Sequence, residues 1–214
     1  MKQTERPVLN IFIESVRKTF MEKKEEICKK TQKLFVERGY DNTPMSFIAE
    51  ELGLSKGGLF HHYKTKEDLL HDIIANLLER NFVPLIENAR KISDPKQRII
   101  YFIDSYTKLM AHDNASKVVM HEAQRLDPVH YEKVRKIWRQ TFDLLCDAFS
   151  ELKRSGEGKE LNSKFSAFAA IGMCSWIFYW FDYSRKESVQ ELSNTFVEIL
   201  LGGFLKVNGS DVAH

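Results

Sequence analysis

The stretch from Thr43 to Lys66, TPMSFIAEELGLSKGGLFHHYKTK, constrains this chain more than any other because it reads as two short helices joined by a tight turn. Thr43 is placed to act as a hydroxyl N-cap, and Pro44 follows at the first helical position, where a missing N–H is harmless. Phe47, Ile48 and Leu52 recur at helical spacing to make one apolar face. Glu50 and Glu51 point to solvent, and Gly53 supplies the left-handed stop. Leu54 carries the turn. Ser55 caps a second helix, Lys56 to Tyr63, in which Leu59 and Phe60 face inward and Lys56, Gly57, Gly58, His61 and His62 are left outside.

That outer set has a physical use. Glycine costs a helix about 1 kcal/mol relative to alanine, so Gly57 and Gly58 are unfavourable unless another group needs the backbone close. A phosphate or a base edge is such a group. The helix N-terminus offers unpaired N–H groups and partial positive charge to an anion, and Lys56 adds a full charge beside it. Helix-turn-helix proteins place this second helix in the major groove and let the first cross the backbone. A glycine-rich corner in any helical protein has the same spacing, so spacing alone leaves both readings open.

The residues themselves separate the two. Ile48-Ala49, Gly53-Leu54-Ser55-Lys56-Gly57, Leu59-Phe60-His61-His62-Tyr63 and Lys66-Glu67-Asp68-Leu69-Leu70, with Ile27, Leu34-Phe35 and Gly39-Tyr40 upstream, resemble the DNA-binding domain of TetR-family transcriptional regulators. The resemblance implies that Thr43, Lys56, His62 and Lys66 touch phosphates and that exposed positions of the second helix read bases. The DNA-binding candidates are Thr43, Ser46, Ser55, Lys56, Gly57, Gly58, His61, His62, Tyr63 and Lys66. Gly58 stands where the family usually has threonine, Phe60 where it has tyrosine, and His62 where tyrosine is common.

Charge is distributed to match. The net charge of +2 conceals a division: residues 1–66 carry 13 Lys and Arg against 9 Asp and Glu, and residues 67–214 carry 19 against 21. The positive excess sits with the proposed DNA-binding half, as counterion release favours.

Three parts are expected: an N-terminal extension over 1–21, a helix-turn-helix domain over 22–66, and a ligand-binding and dimerisation domain over 67–214. Helix 1 is expected from Glu22 to Arg38. In the extension, Val8 to Phe20 carries apolar residues near helical spacing, which fits a packed helix, a basic arm in the minor groove or a frayed end. Thr65 caps a fourth helix with a broad apolar face from Leu69 to Leu78, the natural mechanical link between domains. Ser93-Asp94-Pro95, Asp113 to Ser116 and Asp127-Pro128 open further helices, the last reaching Arg154, and Ser155 to Gly158 is a loop. Two final helices are expected over Ser163–Arg185 and Ser188–Val207. No alternating strand pattern or repeat interrupts this all-α reading.

Phe165 to Phe181 has no charged residue, but it is short for a membrane span and contains Ser166 and Ser175. Burial on two sides accounts for it better, with one side against its own domain and the other against a second subunit. The resemblance implies the same: a homodimer whose last two long helices form a four-helix bundle, setting two recognition helices to read a pseudo-palindromic operator in double-stranded DNA.

No targeting segment is expected, and Cys28, Cys146 and Cys174 lack CxxC spacing, so a reduced cytoplasmic setting with no metal or other cofactor is expected. Histidines such as His112, His121 and His130 lack i,i+4 pairing on one helix face. Phosphate loops, HExxH and GxSxG are absent, which excludes common catalytic designs. Phe102, Tyr106, Met110, Met120, Trp138, Phe142, Trp176, Tyr179, Trp180 and Tyr183 are candidates to line a pocket for a hydrophobic effector, although each also suits an ordinary core. Gly172 to Trp176, Trp180, Val189 to Leu192 and Leu201 to Phe204 are similar to the C-terminal part of acyl-CoA-responsive TetR regulators. The expected function is therefore a repressor released by a hydrophobic molecule such as a fatty acyl-CoA. The alternatives are a multidrug-responsive regulator of efflux genes and a helical protein that binds DNA non-specifically.

Overall fold

The computed structural model describes residues 5–112, 118, 121–180 and 188–204. Its elements are α1 (Glu5–Arg38), α2 (Met45–Glu51), α3 (Lys56–His62), α4 (Lys66–Leu77), α5 (Val83–Arg90), α6 (Pro95–His112), α7 (Pro128–Arg154), α8 (Ser163–Ser175), α9 (Ile177–Trp180) and α10 (Val189–Phe204). The architecture is all-α, an N-terminal helix-turn-helix domain followed by a helical body.

Helix 1 does not begin at Glu22. It runs 34 residues from Glu5, about 50 Å of unbroken helix, because no glycine or proline occurs between Val8 and Arg38 to stop it. Gly39, at φ +80°, ends it as expected. Ile27 and Phe35 of α1, Ile48 of α2, Leu59 of α3 and Leu69, Leu70 and Ile73 of α4 are all buried and form the core of the first domain. Burial of each such side chain contributes about 1.5–3 kcal/mol.

The start of α2 also differs from the sequence expectation. Pro44, not Thr43, occupies the cap position, and no side chain caps the helix. Thr43 is fully buried and its hydroxyl donates to the Gly39 carbonyl at 2.7 Å. The orphaned carbonyls at the end of α1 claim the hydroxyl that the next helix was expected to use. At α3 and α4 the caps follow expectation. Ser55 Oγ accepts the Gly58 N–H at 3.0 Å, and Thr65 and Asp68 form a reciprocal capping box.

Between α4 and α5 the chain makes one wide turn, Leu78–Phe82, in which the Val83 N–H reaches back to the Leu78 carbonyl. Pro84 explains it: the ring lacks an N–H and would clash with a carbonyl one turn earlier, and a wide turn relieves both. Asp94 caps α6 through the Lys96 and Gln97 N–H groups, and Asp127 caps α7 through Val129 and His130. The helix expected after Asp113 falls largely outside the described residues; its end is a tight turn, Ala123–Arg125.

The most apolar stretch is two helices rather than one from Ser163 to Arg185. Tyr106 and Ser175 hydroxyls pair at 3.0 Å and Thr107 lies 3.5 Å from Cys174, fixing the end of α8 against α6. Trp176 then steps out to solvent and α9 follows. Residues 181–187 lie outside the described set. Asp104 of α6 accepts from Ser193 and Gln190 of α10, tying the last helix to the body. Among the described residues no helix is long and apolar enough to cross a membrane.

Candidate DNA-binding surface and effector cavity

Helix α3 presents Lys56, Gly57 and His61 to solvent, beside the exposed Ser55 cap and exposed Ser46 on α2. A Cβ on Gly57 would meet no atom of the chain within 4 Å, so nothing inside the protein demands glycine there. Gly58 is tighter, with the Ser55 hydroxyl 3.2 Å from where its Cβ would sit. The N-terminal extension reaches this surface: the Phe20 ring stacks on His62 at 4.8 Å and meets His61 edge-on at 6.0 Å. Burial, then neighbouring His61, Lys24 and Lys23, hold His62 below the usual histidine pKa.

Three of the candidates have other duties. Thr43 is sealed beneath the surface, as described above. Tyr63 is buried, its hydroxyl 3.1 Å from Cys28 Sγ and its ring 4.6 Å beneath Lys24 Nζ, so it packs the domain from below. Burial pushes its phenol pKa far up. Lys66 is half-buried with its ammonium 4.0 Å from the Tyr40 ring, and burial lowers its pKa. The outward-facing set is therefore Ser46, Ser55, Lys56, Gly57, Gly58, His61 and the edge of His62.

The second feature is a cavity of about 430 Å³ lined by Phe82, Tyr106, Arg135, Trp138, Arg139, Thr141, Phe142, Phe168, Ile171 and Ser175. It falls within the roughly 300–1,000 Å³ typical of small-molecule sites. Tyr106, Trp138 and Phe142 were expected in such a pocket. Phe102 is fully buried behind Tyr106, with ring centroids 5.3 Å apart, and Met110 is core. Trp176 and Tyr179 are exposed, 58% and 51%, and stand apart from the cavity. Met120, Tyr183 and the side chain of Trp180 lie outside the described set.

Sequence reasoning missed Phe82, Phe168, Ile171, Ser175, Thr141 and, above all, Arg135 and Arg139. A signal for the arginines existed. Arg135, Trp138, Arg139 and Phe142 recur at i, i+3, i+4 and i+7, one stripe of α7 that alternates cation and aromatic. Both arginines are exposed where they line the cavity, so they stand at its solvent edge. Inside, burial pushes the Tyr106 phenol pKa up to about 12, which keeps it neutral and bonded to Ser175.

Helix α7 connects the two features. Its middle lines the cavity, and at its start the Asp127 N–H donates to the Glu67 carboxylate of α4 at 2.6 Å while the His130 ring stacks on His71 of α4 at 3.8 Å. Helix α4 in turn packs its buried Leu69, Leu70 and Ile73 into the DNA-binding domain. A displacement of α7 thus has a solid path to α3.

Comparison with known proteins identifies this arrangement. The family described as "Bacterial regulatory proteins, tetR family" matches residues 27–73, and "Tetracyclin repressor-like, C-terminal domain" matches residues 93–204. The chain belongs to the TetR family. This TetR-family regulator is 24% identical over 173 residues to the "Fatty acid metabolism regulator protein" of Bacillus subtilis, covering 79% of the chain and 89% of that protein. Its fold matches the structure of AibR in complex with isovaleryl coenzyme A and operator DNA, with a TM-score of 0.78 and 23% identity over 83% of this chain and 97% of that one. It also matches FadR from Bacillus subtilis in complex with stearoyl-CoA, with a TM-score of 0.67 and 21% identity over 84% and 98% of the two chains. TetR-family chains are DNA-binding transcriptional regulators and not enzymes, and the dimer is typical of them. Phe165 and Ile199 leave large apolar side chains exposed on α8 and α10.

Proposed function

We propose that this regulator is a dimeric repressor that leaves its operator when a fatty acyl-CoA occupies the cavity between α6, α7 and α8. The carrying observation is the pair Arg135, which also holds an ion pair to Glu132, and Arg139, one helical turn apart at the edge of a cavity that is aromatic and aliphatic apart from Thr141 and Ser175. Such a site suits a ligand with an apolar tail and a polyanionic head, because guanidinium groups bind phosphates in a bidentate fork. It disfavours a lipophilic cation, which the same two charges repel, and so weighs against the multidrug alternative. The stearoyl-CoA and isovaleryl coenzyme A named with the two structural neighbours support the same chemical class.

Two recognition helices, one per subunit, would read successive major grooves of a pseudo-palindromic operator through Lys56, Gly57, Gly58 and His61. Ligand filling the cavity shifts α7, and through α4 the spacing of the recognition helices. Its leverage equals its differential affinity for the two spacings, of order 1–3 kcal/mol in allosteric proteins. With DNA as target, the protein works in the cytoplasm.

The test is calorimetric titration of the purified dimer with stearoyl-CoA, stearate and a lipophilic cation. Tight binding of the acyl-CoA, lost in the Arg135→Glu, Arg139→Glu double variant, is expected. Equal binding of the cation, or acyl-CoA binding indifferent to the double variant, would overturn the assignment.

A further inference from the structure

We propose that Glu67, Asp127 and His130 form a binding site for one divalent transition-metal ion of the zinc class at the junction of α4 and α7. One ligand atom from each lies within 4.8 Å of the others, and all three residues are half-buried. The expectation of no metal rested on the lack of a histidine pair on one helix, but these donors come from two helices some 60 residues apart in sequence.

The existing contacts orient the donors. Asp127 Oδ1 receives the Val129 and His130 N–H groups, which leaves Oδ2 turned toward His130 Nδ1 at 2.6 Å. Glu67 Oε1 receives the Asp127 N–H at 2.6 Å, leaving Oε2. His130 Nδ1 is buried, and Asp127 Oδ2 is its close polar neighbour. At 2.6 Å these two atoms are closer than two ligands of one zinc ion, so an ion would enter by spreading them to about 3 Å. Backbone bonds of this kind serve metal ligands as positioning contacts in known sites.

A second observation points to the same place. His71 follows Glu67 by one helical turn and stacks face to face on His130, and its Nε2 is buried with no hydrogen-bond partner. His71 thus backs the His130 ring from α4, while its own nitrogens are not among the converging donor atoms. Two carboxylates balance a dication, and imidazole donors select first-row transition metals over calcium and magnesium, which prefer oxygen. Three protein ligands leave a fourth position for water. An ion here would clamp α7, which lines the cavity, to α4, which carries the DNA-binding domain, and so raise the cost of moving one against the other.

The experiment is Zn²⁺ binding to the full-length dimer, measured by competition with a chromophoric chelator and by the shift in melting temperature. One Zn²⁺ per chain is expected, with affinity reduced about tenfold or more in His130→Ala and in Glu67→Gln, whose helical circular dichroism stays intact, and with no competition from Mg²⁺. Zn²⁺ should raise the melting temperature of the parent protein and not of the variants. Lack of stoichiometric binding, or equal affinity in the parent and both variants as surface histidines such as His61 would give, would overturn the site.

Discussion

The Arg125 guanidinium donates to both carboxylate oxygens of Asp41, at 3.1 and 2.7 Å, and lies 5.3 Å from the Tyr40 ring. The segment that leads into α7 therefore grips the turn after α1, while Lys66 of α4 reaches the same Tyr40 ring at 4.0 Å. Together with Glu67 on Asp127, this adds a set of directional polar contacts to the continuous apolar core that α4 shares with both domains. Such contacts have discrete made and broken states, which suits a joint that must switch.

Arg125→Ala should therefore act on coupling more than on stability. Arg125 and Asp41 are both exposed, and exposed pairs stabilise little. The melting temperature should hardly move, while the ratio of operator affinities without and with effector should change severalfold. Operator titrations with and without acyl-CoA check this; an unchanged ratio would remove Arg125 from the coupling path.

Lys56→Ala should weaken binding to operator and to unrelated DNA alike. A lysine at a helix start contributes charge rather than base readout, so the slope of log affinity against log salt should fall by about 1. Gel filtration should show the dimer unaffected. A loss confined to operator sequence would instead make Lys56 a base-reading residue.

Gly57→Ala should separate folding from function. With open space around its Cβ and ordinary helical backbone, alanine should stabilise α3 by about 0.5–1 kcal/mol. DNA affinity should nonetheless drop, because the close backbone approach is lost. Gly58→Ala should stabilise less, since its Cβ crowds the Ser55 hydroxyl at 3.2 Å. Thermal melting and anisotropy on the same preparations check both; unimpaired operator binding by Gly57→Ala would mean that the DNA backbone does not approach there.

The elements were largely legible because their signals are local. Gly53 at φ +66°, the Thr65–Asp68 capping box and the Asp127 cap each announce themselves within four residues of sequence. What was misread depended on partners far away. Thr43 looked like a cap but its hydroxyl was already claimed by Gly39, and Tyr63 looked like a DNA contact until Cys28, 35 residues earlier, met its hydroxyl in the core. The cavity was half legible. Aromatic residues marked α6 and α7, but Arg135 and Arg139 were passed over, because the far wall they face comes from Phe168 and Ile171 of α8. The junction cluster was invisible, because Glu67 and Asp127 meet only once α4 and α7 pack.

The most direct test of the account is fluorescence anisotropy of the dimer on labelled DNA flanking its own gene, titrated at fixed salt with stearoyl-CoA, coenzyme A and a lipophilic cation. The account predicts release by stearoyl-CoA alone, and no release in an Arg135→Glu, Arg139→Glu variant that still binds the DNA. Release by the lipophilic cation, or undiminished release of that variant by stearoyl-CoA, would contradict it.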